Sequence, residues 1–248
     1  MLKKYPGNPA IHRLRIIVLL EADFNIALRI IWMRRLFPDA EEIGFIPDQW
    51  GNRKTRNSIN CGSMKMLTFK SQRHMRTLTS MMAMDAAACY DRILTYLSNI
   101  CERRHGLPKT ACKAKGNTVF EMLRKVCTAY VTSDDFYTSV GEDLMHGECQ
   151  GKTSSPPSWA IYTITLLRAL GKFNKGITVS CVEGIMEVTR LANVFVDDKD
   201  MWTASRKVEH DDDEMVEIMM ELSKASHAWE LLLFASGGLL ALHKCFVL

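Results

Sequence analysis

Phe195-Val196-Asp197-Asp198 closes an apolar run made of Leu191, Ala192, Val194, Phe195 and Val196 with two adjacent carboxylates. Asp85 ends a second apolar run, Met81, Met82, Ala83 and Met84, and is followed by Cys89-Tyr90-Asp91-Arg92. Between them in the chain stand Gln150-Gly151 and then Ser155-Pro156. Carboxylates at the ends of two strands offer hard oxygen ligands on rigid backbone, which suits magnesium. A pair of such ions about 3.5–4 Å apart activates an attacking oxygen and stabilises a leaving pyrophosphate. These residue types therefore point to nucleotidyl transfer.

The elements that must hold these groups follow from the periodicity of apolar residues. Arg15 to Leu20 reads as a short buried strand. A helix follows from about Asp23 to Leu36, with Phe24, Leu28, Ile31 and Leu36 near helical spacing, and Phe37-Pro38 is expected to end it. Pro47 to Asn57 carries turn residues, and a second helix is expected through Ile59, Met66 and Phe69. Met81 to Asp85 reads as a strand. Tyr90, Ile93, Leu94, Leu97, Ile100 and Cys101 make one amphipathic helix stopped by Gly106 and Pro108. Phe120, Leu123, Cys127 and Tyr130 make another, and Val131 to Glu148 reads as a strand pair leading into Gln150.

Pro156 and Pro157 suit the first turn of a helix, because proline lacks only a donor that is unpaired there anyway. Trp159, Tyr162, Leu166 and Leu170 give that helix its core face. After Asp198 a turn through Lys199-Asp200 returns a strand at Met201 to Ala204. The run Asp211 to Glu214 reads as an acidic helix start, favoured by about 0.3–1 kcal/mol per group, and not as a metal site. Met215, Ile218, Met219, Leu222, Ser226, Trp229 and Leu233 continue that helix to Gly237-Gly238, and Leu239 to Leu248 is a last strand. Helices and strands interleave without regular alternation, so the fold class is α+β.

At 248 residues and 47% hydrophobic content the chain can bury a sizeable core. Its net charge of +4 permits a nucleic-acid partner without requiring one, and Lys3, Lys4, Arg13, Arg15, Arg34, Arg35, Arg53, Lys54 and Arg56 concentrate positive charge in the first quarter. The eight cysteines show no Cys-x-x-Cys or zinc-ligand pairing and read as reduced thiols of an intracellular protein. Ile16 to Leu20 is interrupted by Glu21 and Asp23, too short to span a bilayer, and no cleavable signal pattern precedes it. A soluble chain of cytoplasm or nucleus, with no membrane partner, is expected.

The order of motifs resembles the palm of a reverse transcriptase. Asp85-Ala86-Ala87-Ala88-Cys89-Tyr90-Asp91-Arg92 is similar to the family's motif A, Gln150 to Pro156 to motif B, Phe195 to Asp198 to motif C, and Gly238 to Lys244 to motif D. Upstream, Arg15 to Leu20 and Gln49 to Ser58 resemble two fingers blocks, so the resemblance runs from Arg15 to Lys244. The Phe-Val-Asp-Asp and Cys-Tyr-Asp-Arg forms look closest to the retrotransposon branch.

The resemblance implies a right-hand polymerase palm, an antiparallel sheet backed by helices, with partial fingers. It implies that Asp85, Asp197 and Asp198 bind two Mg2+ ions, with Mn2+ as a substitute, and that Lys244 protonates the leaving pyrophosphate. Arg15 would grip the triphosphate, Tyr90 would block a ribose 2′-hydroxyl, and Gln150 and Gly151 would pack against the nascent pair. The implied partners are an RNA or DNA template with primer and deoxynucleoside triphosphates. Viral RNA-dependent RNA polymerases commonly have an aspartate at the spacing of Tyr90 and Gly-Asp-Asp at the hairpin, so deoxynucleotides are favoured.

Taken singly, each signal has a plainer explanation. Phe195 to Asp198 alone is a strand entering an acidic turn, Asp85 alone caps a helix, Tyr90 is a core residue of its helix, and Lys244 is a solvated lysine. Their conjunction in family order, each on the element its role requires, carries the reading. His74, His105, His146 and His210 have no metal-like spacing, and the methionine-rich patches read as adaptable core.

Some features depart from the family's pattern. Asn57 and Asn60 stand where the fingers block more often has serine and aspartate, and Ile177 to Gly184 has no obvious counterpart. The expected organisation is partial fingers over residues 1–80 and palm over 81–248, with the thumb absent. This suggests a truncated or degenerate element copy, with a catalytically silent remnant or a nucleic-acid-binding module as alternatives to full activity.

Overall fold

The run Thr79-Ser80-Met81-Met82-Ala83-Met84-Asp85 carries its single charge at its last position, so it can be covered on both sides and still present a carboxylate at its end. In the computed structural model it is an interior strand of a four-stranded sheet. The structure describes residues 2–3, 14–15, 17–46, 50–51, 53–128, 130–136, 147–180, 187–205 and 212–248. In chain order the elements begin with β1 (Leu2–Lys3), β2 (Leu14–Arg15), α1 (Ala22–Leu28), a π-helical stretch Arg29–Leu36, α2 (Phe37–Glu42) and α3 (Ser58–His74). Next come β3 (Thr79–Asp85), α4 (Cys89–Arg92), α5 (Thr95–Arg104), α6 (Lys109–Glu121) and α7 (Ser155–Leu170). The chain continues through β4 (Ile177–Ser180), β5 (Glu187–Arg190), β6 (Ala192–Phe195), β7 (Asp198–Ala204), α8 (Asp212–Ala235) and β8 (Phe246–Val247).

By its internal contacts the chain forms two compact units, one of Met1–Ala40 with Tyr90–Ser158 and one of Glu41–Cys89 with Trp159–Leu248. The expected fingers–palm boundary at residue 80 falls inside the second unit, just after the start of β3. That unit holds the sheet, whose order is β6-β7-β3-β8 with every neighbouring pair antiparallel. The long pairing runs from Thr79 opposite Ala204 to Asp85 opposite Asp198.

Alternation along these strands assigns the two faces. Met81 and Trp202, fully buried, cluster with Ile177 and pack against Phe69 of α3, whose ring meets Trp202 edge-on at 4.7 Å. On the other face the Ser226 hydroxyl of α8 contacts the Met82 sulfur at 2.8 Å, and the Lys199 ammonium lies 3.3 Å from the centre of the Trp229 ring. Helices thus back both faces of an antiparallel sheet, the α+β palm architecture expected from the sequence. The segment from Ile177 that matched nothing in the family begins a small hairpin, β4 with β5, while Cys181–Gly184 lies outside the described residues.

The first unit contains buried charge. Lys115 Nζ lies 2.8 Å from Glu102 Oε1 and 2.6 Å from Glu148 Oε1, and Lys152 Nζ lies 3.3 Å from Glu148 Oε2, all four side chains being shielded from solvent. Burial would push the Glu148 carboxyl up, but Lys115 and then Lys152 outweigh it and hold it at about 2.

Several elements differ from expectation. The strand expected over Arg15–Leu20 is only Leu14–Arg15, paired with Leu2–Lys3, and the Val18 N–H bonds the Gln150 carbonyl instead. Phe37-Pro38 does not end the first helix. The π-helical stretch gives way there to a new α-helical segment, and Pro38 stands in its first turn, where a missing donor costs little. The helix expected through Tyr90–Cys101 is broken at Ile93-Leu94, because Leu94 is extended (ψ 112°) and the Ile93 carbonyl accepts from Gly147 N–H. The helix expected through Phe120–Tyr130 stops at Glu121. Met122 is extended there, and the Arg124 guanidinium takes the carbonyls of Val119 and Met122.

Of the strand pair expected over Val131–Glu148, the described residues keep only a bridge between Cys127 and Thr132, and residues 137–146 lie outside them. The turn expected at Lys199-Asp200 is at Val196-Asp197, so β7 already begins at Asp198. The last strand contracts to Phe246–Val247 behind a 3-10 turn, Leu242–Lys244. Among the described residues no helix is long and apolar enough to cross a membrane.

Because the Glu148 carboxyl is held down, its contribution to stability is complete above its ordinary 4.5 and is lost as pH falls through about 2. In thermal melts over that window, the gap between wild type and Glu148→Gln is expected to close as acid is added. A gap independent of pH would contradict the pairing.

Candidate functional site

Asp85 and Asp198 stand opposite each other at the end of the β3–β7 ladder. Directly opposed residues of an antiparallel pair lie within about 4.5–5.5 Å at Cα, so both are at one end of one sheet and on one face. Asp197 is the second residue of the β6–β7 loop, and its carbonyl accepts the Ala86 N–H at 3.2 Å. Asp85 and Asp198 are far apart in the chain, and the sheet sets them opposite each other, with Asp197 in the adjoining loop close enough for its charge to act on the Asp198 carboxyl. Asp85 is nearly buried, whereas Asp198 is exposed. The Asp198 carboxyl is pushed above its usual range, first by desolvation and then by the negative charges of Asp197 and Asp85, with Lys244 opposing.

Lys244 reaches the same place from the far end of the chain. Its ammonium pairs with Asp85 Oδ2. The path is fixed by backbone bonds on either side: Ala87 N–H to Leu239 O at 2.7 Å and Ala241 N–H to Asp85 O at 2.9 Å. Among the described residues no three His, Cys, Asp or Glu side chains form a ready metal-ligand group, and Lys244 instead neutralises Asp85.

The β6–β7 loop has only two residues, and Val196 takes φ +59°, left-handed backbone that a β-branched side chain resists. The surroundings impose it. The Trp159 indole N–H donates to the Val196 carbonyl at 2.6 Å, and Trp50 N–H donates to Val194 O at 2.7 Å. Sequence periodicity marked Trp159 only as a core residue, and nothing in its spacing announced the contact with the acidic turn.

The remaining expected site residues belong to the first unit. The Tyr90 carbonyl accepts the Glu148 N–H at 2.6 Å, and Gly147 at φ +101° passes so near that a Cβ there would sit 2.6 Å from the same oxygen. Gln150 is half-buried, with its carbonyl on Val18 N–H at 2.7 Å. Gly151 has φ +110°, and a Cβ would come within 2.4 Å of the Val18 carbonyl, so no other residue fits. Tyr90, Gln150 and Gly151 are thus tied to one loop. Arg15 ends β2, and its side chain lies outside the described residues.

No family model and no curated protein matches the sequence. Solved structures do. Telomerase from Candida albicans, in complex with a TWJ fragment of telomeric RNA, is similar at a TM-score of 0.57 and 11% identity, over 90% of this chain and 34% of that one. Apo telomerase from Candida tropicalis, truncated from its C-terminal domain, is similar at 0.54 and 14% identity, over 90% and 40%. The Candida tropicalis enzyme with the TWJ fragment gives 0.53 and 14%, over 89% and 33%. The likeness shows the fold, that of a reverse-transcriptase-like polymerase palm. This chain spans only 33–40% of the length of these proteins.

The strain at Val196 can be tested by comparing Val196→Gly with Val196→Ala. Both remove the isopropyl group, but only alanine keeps a Cβ in left-handed backbone, which costs roughly 1–2 kcal/mol. Urea unfolding should show the glycine variant more stable by about 1 kcal/mol once its greater unfolded-state freedom is subtracted. An alanine variant equal or more stable would remove the strain.

Proposed function

We propose that this chain is a reverse-transcriptase-type palm that adds deoxynucleotides to a primer on an RNA or DNA template and releases pyrophosphate. The observation that carries the reading is the register that sets Asp85 opposite Asp198, with Asp197 beside them. The similarity of the fold to telomerases, two of them solved with telomeric RNA fragments, supports a nucleic-acid partner. The motifs of the sequence add the retrotransposon lineage to the proposal.

Asp85, Asp197 and Asp198 are the residues that would hold a pair of magnesium ions, or manganese in their place. Asp85, Asp197 and Asp198 supply hard carboxylate oxygens. Desolvation and then the charges of Asp197 and Asp85 raise the Asp198 carboxyl, and a lysine ammonium already rests on Asp85. When bound, such ions activate the primer hydroxyl and stabilise the leaving pyrophosphate.

The chain's own residues then do the positioning. Tyr90 screens the sugar, since its ring takes the space of a 2′-hydroxyl, the group that distinguishes RNA from DNA. Gln150 and Gly151 shape the pocket of the nascent pair, where the missing Cβ of Gly151 keeps the loop against Val18. Arg15 steadies the triphosphate. Lys244 holds a proton beside the acidic end of the sheet and delivers it to pyrophosphate.

Primer extension on RNA and DNA templates with magnesium tests this reading. Incorporation is expected, and Asp85→Asn or Asp197→Asn should each reduce it by at least about a thousandfold, since several kcal/mol of charge stabilisation is lost. Template binding without extension, unchanged by Asp197→Asn, would instead indicate a nucleic-acid-binding module. Tyr90→Val should admit ribonucleotides more readily, and unaltered sugar discrimination would remove Tyr90 as the gate.

A further inference from the structure

The four buried charges of the first unit enclose the loop that carries Gln150 and Gly151. Glu148 and Lys152 flank it at either end, with both side chains fully buried and 3.3 Å apart. Glu148 continues to Lys115 of α6 at 2.6 Å. Lys115 in turn bonds Glu102 and Ser98 of α5 at 2.8 and 3.2 Å, and Ser158 of α7 at 3.1 Å. The Trp32 indole donates to Glu102 Oε1 at 3.0 Å. The Ser155 hydroxyl lies 2.5 and 2.8 Å from the carbonyls of Glu148 and Cys149.

Local preference opposes the shape this loop takes at Cys149, whose φ of +60° is left-handed backbone that a side chain resists, whereas Gly151 adopts its φ of +110° freely. Such a conformation persists only where the surroundings over-determine it. Stability alone does not account for the quartet, because apolar side chains of similar volume commonly serve a buried site as well as or better than ion pairs. Ion pairs differ in having directed donors and acceptors, which fix where the two ends of a loop lie.

We infer that Lys115, Glu148 and Lys152 are positioning residues that lock the Gln150–Gly151 loop in its binding shape before a nucleotide arrives. That this loop receives a nucleotide rests on the function proposed above, whereas the locking rests on the geometry alone. A pocket ordered in advance spares the ligand the cost of ordering it.

The double variant Glu148→Gln/Lys152→Met tests this. It removes one charge of each sign, so Lys115 and Glu102 remain a balanced pair. Amide exchange in the full chain should quicken about tenfold at residues 149–153 and stay unchanged in α5 and α6, with the nucleotide KM up about tenfold and kcat within about twofold. Lys115→Arg, which keeps the charge, should retain slow loop exchange. Should the double variant fail to fold, Lys152→Met alone reads the same loop. Exchange unchanged at 149–153, or rising equally in α5 and α6, overturns the inference, as does a faster loop with an unaltered KM. If wild type extends no primer, the polymerase reading fails while the exchange pattern still decides the locking.

Discussion

The pairing of β3 with β7 is the constraint on which the acidic site depends. Seven consecutive residue pairs fix its register, from Thr79 opposite Ala204 to Asp85 opposite Asp198. A slip of one residue would turn every side chain of the strand to the other face, exposing Met81 and separating the carboxylates. The apolar core formed by Met81, Trp202 and Phe69 therefore does more than stabilise the sheet. It selects the register, and the register places the acids.

The two units handle charge in opposite ways. At the end of the sheet Asp85 stands opposite Asp198, one lysine pairs with Asp85, and the carboxyl of Asp198 is raised by desolvation and by the charges of Asp197 and Asp85. In the other unit two acids and two lysines are sealed from water in mutual contact, and the carboxyl of Glu148 is lowered. The first arrangement leaves carboxylate charge that one lysine does not balance. The second balances its two acids with two lysines, as suits a framework.

Much of this was legible in the chain of residues. The strands ending in Asp85 and leading into Asp197, the helix starting at Ser155 and the long helix after Asp211 were evident from apolar runs, paired prolines and acidic starts, because each is a local signal. The family resemblance correctly suggested the palm. Local signals failed where distant segments claimed a backbone group. The spacing of Tyr90 to Cys101 favoured one helix, but Gly147 takes the Ile93 carbonyl; the helix expected through Phe120–Tyr130 stops instead for a nearby reason, the Arg124 side chain taking the carbonyls of Val119 and Met122. The indole of Trp159 on the acidic turn, and the meeting of Glu102, Lys115 and Glu148, have no periodic signature. Each joins residues far apart in sequence whose types are individually ordinary.

The outer margins of the sheet carry a consequence of their own. A long unpaired edge would be a template for strand addition and aggregation. On one margin the Val194 carbonyl of β6 is already taken by Trp50 N–H. On the other, β8 pairs with β3 at Phe246 and Val247, opposite Ala83 and Met82, so that stretch of β3 is already covered. At those positions the scaffold that carries acidic charge at its tip has no free backbone group for an added strand to take.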